Sequence, residues 1–466
     1  MPAPLRTDLH SRGLFLRVAW DVLGIAGAAG LAQTLAFASA PLLTRLYTPE
    51  AFGHFAFFSA LVTILTPLGS LRYEAALPLP ADEVDAHRLL ALSLMLVPCS
   101  SLVVAVVVAL ASAVITQWGD VSGTTIALLP LAIFIFGLHA VVTAWLVRSC
   151  SFAHLARVRF STIVGMLVCQ LGLGQLHGGV TSLIMGFVGG YTFGLIVAVY
   201  GCLRPLLAAA ALVDFRRIRQ VATEYRLFPI FTSPAQVINA IGSQLPSLVL
   251  PHLYGAVVTG QYSLAQRVLF QPMALVGQAV NQVFLGNAAR LVVEDPSQLW
   301  PLFVRLNVCL LTLMAPGLVL MWVGTETFTF VFGPAWGQAG HFAGIMIVAS
   351  LLGLAAQGTT SLHTYRLNHW MCAWEVLQLL LAVAALGAAI QMSWSPLACI
   401  TAITAAFAVS NVLLLVLNGI AVWRLSHSER ASSAHASDPG NSRDRDLVFR
   451  IRSNVRQGSQ VEVKSE

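Results

Sequence analysis

Apolar runs recur from one end of the chain to the other, broken by short stretches of arginine, proline, glycine and polar residues. Leu89 to Ile115, and Gly317 to Val323 with its flanks, are examples. A helix needs about 20 apolar residues to cross the hydrocarbon layer of a bilayer. The runs predict spans near 18–42, 51–71, 89–115, 125–147, 160–176, 180–203, 228–250, 258–286, 302–323, 340–362, 370–391 and 396–424. The fifth is short, and the second and seventh are rich in polar residues and proline. The predicted fold class is an all-α polytopic membrane protein with about 12 transmembrane helices, since backbone in lipid must satisfy its own hydrogen bonds.

Composition and charge refine this picture. Of 466 residues, 57% are hydrophobic and 10% charged, whereas a soluble domain carries roughly 25% charged residues. The net charge of +6 would suggest a nucleic-acid partner for a soluble protein. Here the bases sit in short loops and the C-terminal segment, so membrane topology accounts for them and no nucleic-acid partner is expected. With the N-terminus placed in the cytoplasm, the inner segments hold Arg6, Arg12 and Arg17, then Arg72 and Arg88, then Arg148, Arg157 and Arg159. They continue with Arg204, Arg216, Arg217, Arg219 and Arg226, then Arg290, Arg305 and Arg366, and the basic C-terminal segment. The outer loops hold Arg45 alone, and Arg267 lies within a span. A miscounted span would swap the sides of every later loop and destroy this asymmetry. The expected location is therefore the inner membrane, multi-pass, with both termini cytoplasmic. The first apolar segment is long enough to stay as a span, and no signal-peptide cleavage pattern is evident. From about Ser426 the chain is polar and basic, which predicts a disordered cytoplasmic tail over 426–466. Within it, Leu447 to Arg452 alternates apolar and basic residues, a pattern that also suits a membrane-surface or partner contact.

An internal repeat divides the spans. Leu46-Tyr47 is followed by Gly53 and Phe55, and Leu253-Tyr254 by Gly260 and Tyr262, at an offset of 207 residues. Both blocks follow an odd-numbered span and open the next. Halves of an even number of spans keep the same orientation, giving parallel repeats about an axis along the membrane normal with a substrate path between them. The expected division is an N-terminal lobe over 1–208 and a C-terminal lobe over 209–425.

Polar residues inside spans carry the functional signal, because burying them in lipid is costly. In the eighth span Arg267, Gln271, Gln278 and Gln282 recur at intervals of 4, 7 and 4, on one helical face. In the seventh, Ser233, Gln236, Asn239 and Ser243 recur at 3, 3 and 4. The second offers Ser59, Thr63, Thr66 and Ser70. These faces suggest a hydrated cavity. Arg267 lies roughly 14 Å from the outer end of its helix, near mid-membrane. It suits either a phosphate or carboxylate ligand held by a planar fork or a packing arginine paired with a carboxylate or carbonyl. Arg45 suits a substrate contact or an interfacial anchor. Asp21 and Glu375 suit ion coupling or a solvated interfacial position, the latter favoured. Prolines at 234 and 246 suggest a bent seventh helix, which a static kink serves equally.

The chain offers no catalytic constellation: no HExxH, no GxSxG and no phosphate-cradling GxxxxGK[ST]. Its twelve histidines are dispersed, and His139, deep in the fourth span, reads as a helix-packing group. The seven cysteines form no CxxC pair and most lie in apolar runs. Neither a metal nor a cofactor is expected, and the chain does not read as an enzyme.

Four blocks resemble those of bacterial polysaccharide-export flippases of the multidrug/oligosaccharidyl-lipid/polysaccharide exporter superfamily. They are Pro41 to Gly53 (PLLTRLYTPEAFG), Ser70 to Glu74 with Leu77-Pro78-Leu79-Pro80, Tyr262 to Leu269 (YSLAQRVL), and Phe332 to Trp336 with Ala339-Gly340. The resemblance implies two six-helix lobes around a central cavity. It implies transport of undecaprenyl-pyrophosphate-linked oligosaccharide repeat units from the cytoplasmic to the periplasmic leaflet of the bacterial inner membrane. The product would be a surface polysaccharide, lipopolysaccharide or exopolysaccharide. Membrane lipids, and the polysaccharide polymerase and export machinery, would be its partners. Related lipid-linked precursor flippases hold the pyrophosphate with cationic cavity residues, and Arg267 matches such a position, although this chain has few other cavity charges.

Two rivals make different demands. A multidrug antiporter favours deep carboxylates, whereas the acids here lie mostly in inner loops, among them Asp82, Glu83, Asp85, Asp214 and Glu224. A non-transporting scaffold would recruit a biosynthetic complex through the tail. Deleting residues 430–466 separates scaffold from transporter: surface polysaccharide output should survive the truncation, and its loss at equal protein level would favour the scaffold.

Overall fold

The computed structural model describes residues 30, 34–35, 37–211, 214–322, 324–360 and 368–434. Among them every regular element is helical. The chain runs through α1 (Ala40–Leu46), α2 (Pro49–Leu65), α3 (Glu83–Gly119), α4 (Leu129–Arg148), α5 (Phe152–His177), α6 (Val180–Ala211) and α7 (Phe215–Glu224). It continues through α8 (Ser233–Glu294), α9 (Leu299–Trp322), α10 (Gly324–Phe332), α11 (Gly337–Gly358), α12 (Asn368–Gln391) and α13 (Pro396–Ala434). Eight segments are long and apolar enough to cross a membrane: Pro49–Leu68, Glu83–Gly119, Gly123–Arg148, Phe152–His177, Val180–Ala209, Pro334–Gly358, Trp370–Gln391 and Pro396–His427. They match predicted spans two to six and ten to twelve. Of the other predicted spans, 228–250 begins in the short helical turn Phe228–Thr232 and continues into α8, 258–286 falls in α8, 302–323 falls in α9 as far as Trp322, and 18–42 lies largely outside the described residues. Asp21 is outside them too, as are Arg366 and residues 435–466. The first residues of the expected disordered tail are helical, because α13 runs to Ala434.

Contact density separates two units. One comprises the described residues up to Leu264 with Thr329–Trp336; the other comprises Ala265–Phe328 with the described residues from Gly337. This division falls inside α8 and is drawn on a different basis from the repeat boundary at 208/209.

In the first unit, local sequence sets the helix ends. Thr48 caps α2 by accepting from the Ala51 N–H at 3.2 Å, with Pro49 at the first helical position. Asp120, in the left-handed region, ends α3, and Gly178 ends α5 in the same conformation. Two apolar clusters lie at opposite ends of these helices. One gathers Phe57, Phe58, Ile133, Phe136 and Ile184. The other, at the arginine-rich end, gathers Leu89, Val141, Trp145, Ala198 and, from α7, Ile218 and Val221. Between them His139 of α4 meets the Thr162 hydroxyl at 3.3 Å and the Tyr191 ring at 5.1 Å. Helices α5 and α6 pack with their backbones close. A Cβ at Gly186, Gly190 or Gly194 would strike Gln170, Met166 or Thr162 respectively, a small-residue seam of the kind membrane helices use. Leu102, Val103, Val106, Val107 and Leu110 of α3 are exposed, as a lipid-facing stripe requires.

The second unit is held by hydrogen bonds from side-chain amides and an indole to backbone carbonyls. Asn411 and Asn418 of α13 donate to the Ala349 and Ala356 carbonyls of α11 at 3.1 and 3.0 Å. Asn281 of α8 reaches the Gln357 and Thr360 carbonyls, and the Trp374 indole of α12 donates to Ser410 at 2.7 Å. Phe284, Phe303 and Leu414 form its apolar centre.

Helix α8 is interrupted at Gly255, with φ 80° and ψ 172°. This conformation is essentially confined to glycine and costs other residues roughly 1–3 kcal/mol. The spans predicted at 228–250 and 258–286 are thus separated by a single-residue break. Gly255→Ala should lower the thermal midpoint of the detergent-solubilised protein by several degrees. Gly172→Ala, where an added Cβ meets nothing within 4 Å of an ordinary helical glycine, should leave it level or raise it.

Candidate functional site

The two copies of the sequence repeat meet. A Cβ at Gly53 of α2 would strike the Ala256 carbonyl, and a Cβ at Gly260 of α8 would strike the Pro49 carbonyl and approach the Gly53 nitrogen to 3.0 Å. The offset of 207 residues that relates Gly53 to Gly260 also relates Pro49 to Ala256. The two contacts therefore exchange under the repeat, as contacts across a local two-fold axis must. Each glycine lets one helix backbone lie directly on a carbonyl of the other.

Two indoles secure this crossing. The buried Trp336 donates to the Thr44 carbonyl at 3.0 Å, near the end of α1, and its ring meets Phe52 edge-on at 5.0 Å. Gln261 of α8 donates to the neighbouring Ala335 carbonyl at 2.6 Å. From α3, Trp118 donates to the Leu248 carbonyl at 3.0 Å and stacks on His252 at 4.2 Å. Tyr47 donates to the Gln170 carbonyl at 2.6 Å. The repeat motif is thus a contact motif. The sequence relates Gly53 to Gly260 as repeat copies and shows the Phe332-to-Trp336 block as a separate motif, but not that these touch, and no pattern in it singles out Trp118 and His252.

The predicted polar faces are distributed as follows. Arg267 and Gln278 lie on α8 in the second unit, with Gln278 exposed. The Nε of Arg267 is buried and has no hydrogen-bond partner among the described residues. Gln271 and Gln282 occupy α8 positions at helical spacing from Arg267, and their side chains lie outside what is described. Gln236 and Asn239, both exposed, and Arg45, exposed in the last turn of α1, belong to the first unit. Ser233 is instead buried, donating to the Pro67 carbonyl at 3.2 Å. Glu375 is half-buried in α12. Among the described residues no group of three His, Cys, Asp or Glu is placed to hold a metal.

At the arginine-rich end the Ser70-to-Glu74 block forms a tight turn, with Leu71 and Arg72 both left-handed at φ 51° and 64°. The buried Glu74 carboxylate accepts from the Ser70 hydroxyl and pairs with Arg72 at 3.2 Å. The Tyr73 hydroxyl donates to the Ala222 carbonyl of α7 at 3.0 Å, and burial pushes its pKa up. Arg148 closes the next stretch by donating to the Leu77 and Pro80 carbonyls at 2.9 and 2.8 Å, and it pairs with Glu83 at 3.2 Å.

Comparison with known proteins places this architecture. A family model described as "Polysaccharide biosynthesis protein" matches residues 42–340. The amylovoran biosynthesis protein AmsL of Erwinia amylovora is 27% identical over 126 residues, 27% of this chain and 32% of that protein. The aligned stretch thus spans about a third of that relative. Among solved structures, the lipid II flippase MurJ in an inward closed conformation superposes with a TM-score of 0.62 at 12% identity, covering 93% of this chain and 99% of that one. A multidrug resistance MATE family transporter of the MOP superfamily, inward-facing, superposes with a TM-score of 0.58 at 13% identity, covering 84% and 95%. At these identities the likeness is one of fold.

The crossing predicts non-additive energetics. Gly53→Val and Gly260→Val should each destabilise the solubilised protein by about 1–3 kcal/mol through overpacking. The double variant should lose clearly less than the sum, because the first substitution already separates the helices. Strict additivity of the two thermal shifts would show that the glycines do not share one contact.

Proposed function

The chain belongs to the polysaccharide biosynthesis protein family, and on that premise we propose that it is a flippase. Its cargo would be undecaprenyl-pyrophosphate-linked oligosaccharide repeat units, moved from the cytoplasmic to the periplasmic leaflet of the bacterial inner membrane for surface polysaccharide assembly. Both termini would lie in the cytoplasm. The observation that carries this reading is Arg267, whose buried Nε has no acceptor among the described residues in a long helix of a multi-pass membrane protein. An ionisable group at that depth is costly and marks a ligand path by default. A guanidinium presents a rigid fork of donors matched to phosphate oxygens. The amide positions 236, 239, 271, 278 and 282 along α8 suit sugar hydroxyls, and Arg45 suits a contact on the outer side. The lipid chain would remain in the bilayer while the charged headgroup crosses. The glycine crossing of α2 and α8 would close the outer side, and parting these helices would open it. Asp21 and Glu375 are the carboxylates proposed for any ion coupling.

Arg267→Ala should reduce surface polysaccharide more than about tenfold at equal membrane protein level, with Arg267→Lys intermediate, because an ammonium keeps the charge and loses the fork. Normal polysaccharide in the alanine variant would refute the assignment. Normal polysaccharide in a deletion strain that gains drug sensitivity would move the chain to the antiporters.

A further inference from the structure

The inner-side arginines are not all alike. Arg72, Arg88 and Arg148 are neutralised by Glu74, Asp85 and Glu83 at 3.2, 2.8 and 3.2 Å. Arg216, Arg219 and Arg226 form no ion pair with any described residue, although Asp214 and Glu224 are close in sequence. Asp214 is engaged elsewhere, accepting from the Arg216 N–H at 3.0 Å as the cap of α7. The three arginines line one open surface concavity of about 850 Å³ together with Gln220 and Thr223, and all of these side chains are exposed. Glu224 at its wall is the one acidic group among the lining residues. A preference for basic residues on the cytoplasmic side explains why arginines occur here. It does not explain why three unpaired ones converge on one concavity.

The helix is held so that this face points away from the bundle. Ile218 and Val221 are buried in the apolar cluster at the arginine-rich end. The Tyr73 hydroxyl ties the Ala222 carbonyl from the facing turn. Positions 216, 219, 220 and 223 then fall on the opposite side of α7 by helical period. The cavity also has an apolar rim. Leu227 lines it and is exposed, and Ile230 and Phe231 just beyond are exposed as well. The apolar face of α7 is spent on the protein core, so the exposed Leu227, Ile230 and Phe231 beyond its end are the side chains beside the basic face that suit contact with lipid chains.

We propose that this α7 cavity binds the diphosphate headgroup of a polyprenyl-linked lipid, with the arginines on the phosphates and the Leu227–Phe231 rim against the first isoprene units. It would gather the cargo at the cytoplasmic leaflet before the headgroup reaches Arg267. The charge count favours a diphosphate over a single phosphodiester, since three unpaired guanidinium groups face one carboxylate. The rim favours a lipid over a soluble anion. This inference rests on the flippase reading for its biological meaning, but its binding claim stands or falls separately.

The test uses the full-length protein in phosphatidylcholine nanodiscs, with undecaprenyl pyrophosphate as the probe and bound lipid counted by native mass spectrometry. The triple variant Arg216→Gln, Arg219→Gln, Arg226→Gln should bind the probe about tenfold more weakly, consistent with loss of charge-assisted hydrogen bonds, while keeping the wild-type thermal midpoint. The corresponding triple lysine variant should recover part of the binding. Equal binding by wild type and glutamine variant would overturn the site while leaving the flippase reading intact, since the wild type still binds the cargo lipid. No binding by either would overturn both. Displacement of the probe by phosphatidylglycerol at matched concentration would reduce the cavity to a general anionic-lipid patch and overturn the diphosphate assignment. Displacement by inorganic pyrophosphate as effective as by the lipid would remove the role of the rim. If the glutamine variant unfolds, single Arg219→Gln and Arg226→Gln variants replace it, each expected to weaken binding by a smaller factor.

Discussion

The contact that organises the first unit is the reciprocal seating of Gly53 on the Ala256 carbonyl and of Gly260 on the Pro49 carbonyl. In lipid, helices gain little from hydrophobic association, so close backbone packing and interhelical hydrogen bonds must hold them. A crossing this tight leaves no room for a side chain at either glycine. It also brings the end of α1 and the Gly255 break of α8 within reach of indoles from distant elements, Trp336 and Trp118. The break belongs to the same constraint. The Ala256 carbonyl that lies against α2 directly follows the break, and Gly255 supplies a backbone conformation that other residues adopt only at a cost.

Polar groups follow a consistent economy. Asparagine, serine and tryptophan side chains donate to carbonyls of neighbouring helices, and Arg72, Arg88 and Arg148 at the basic end are matched by carboxylates or carbonyls. Buried polar groups are expected to be paired in this way. Against that background Arg267, with a buried, unpartnered Nε and no ion pair to a described residue, and the unpaired arginines of α7 leave donors unmatched, whereas Arg72 and Arg88 have an orphan Nε but each keeps an ion pair. A guanidinium presents a planar fork of donors matched to phosphate oxygens, and both proposed phosphate contacts are built on it.

The all-helical, multi-pass character was legible because a long apolar run has one solution in lipid. Eight predicted spans coincide with helices apolar enough to cross. The segments around α8 were harder to read. Their glutamines, asparagines and prolines dilute the apolar signal, and a single glycine separates helices where a loop was expected. The repeat was visible as four matching positions, yet its meaning as a contact between its own two copies needed three dimensions. Ser233 shows the limit of spacing arguments: it keeps helical register with Gln236 and Asn239 but is spent on the Pro67 carbonyl. In the sequence the α7 arginines read as topology markers, since nothing in a linear pattern tells a paired arginine from an unpaired one. The seam of Gly186, Gly190 and Gly194 went unnoticed because small residues carry no chemistry of their own.

The asparagines of α13 have a mechanical consequence. Asn411 and Asn418 lie seven residues apart and bond carbonyls of α11 that are also seven apart, at Ala349 and Ala356. Sliding one helix along the other by a single residue would break both bonds together and leave two amides stranded. The pair is therefore pinned at two points, like a beam on two rivets. Swinging the pair as one strut keeps both bonds, whereas shear costs both at once, about 1 kcal/mol each or more where the amides are left buried and unpaired.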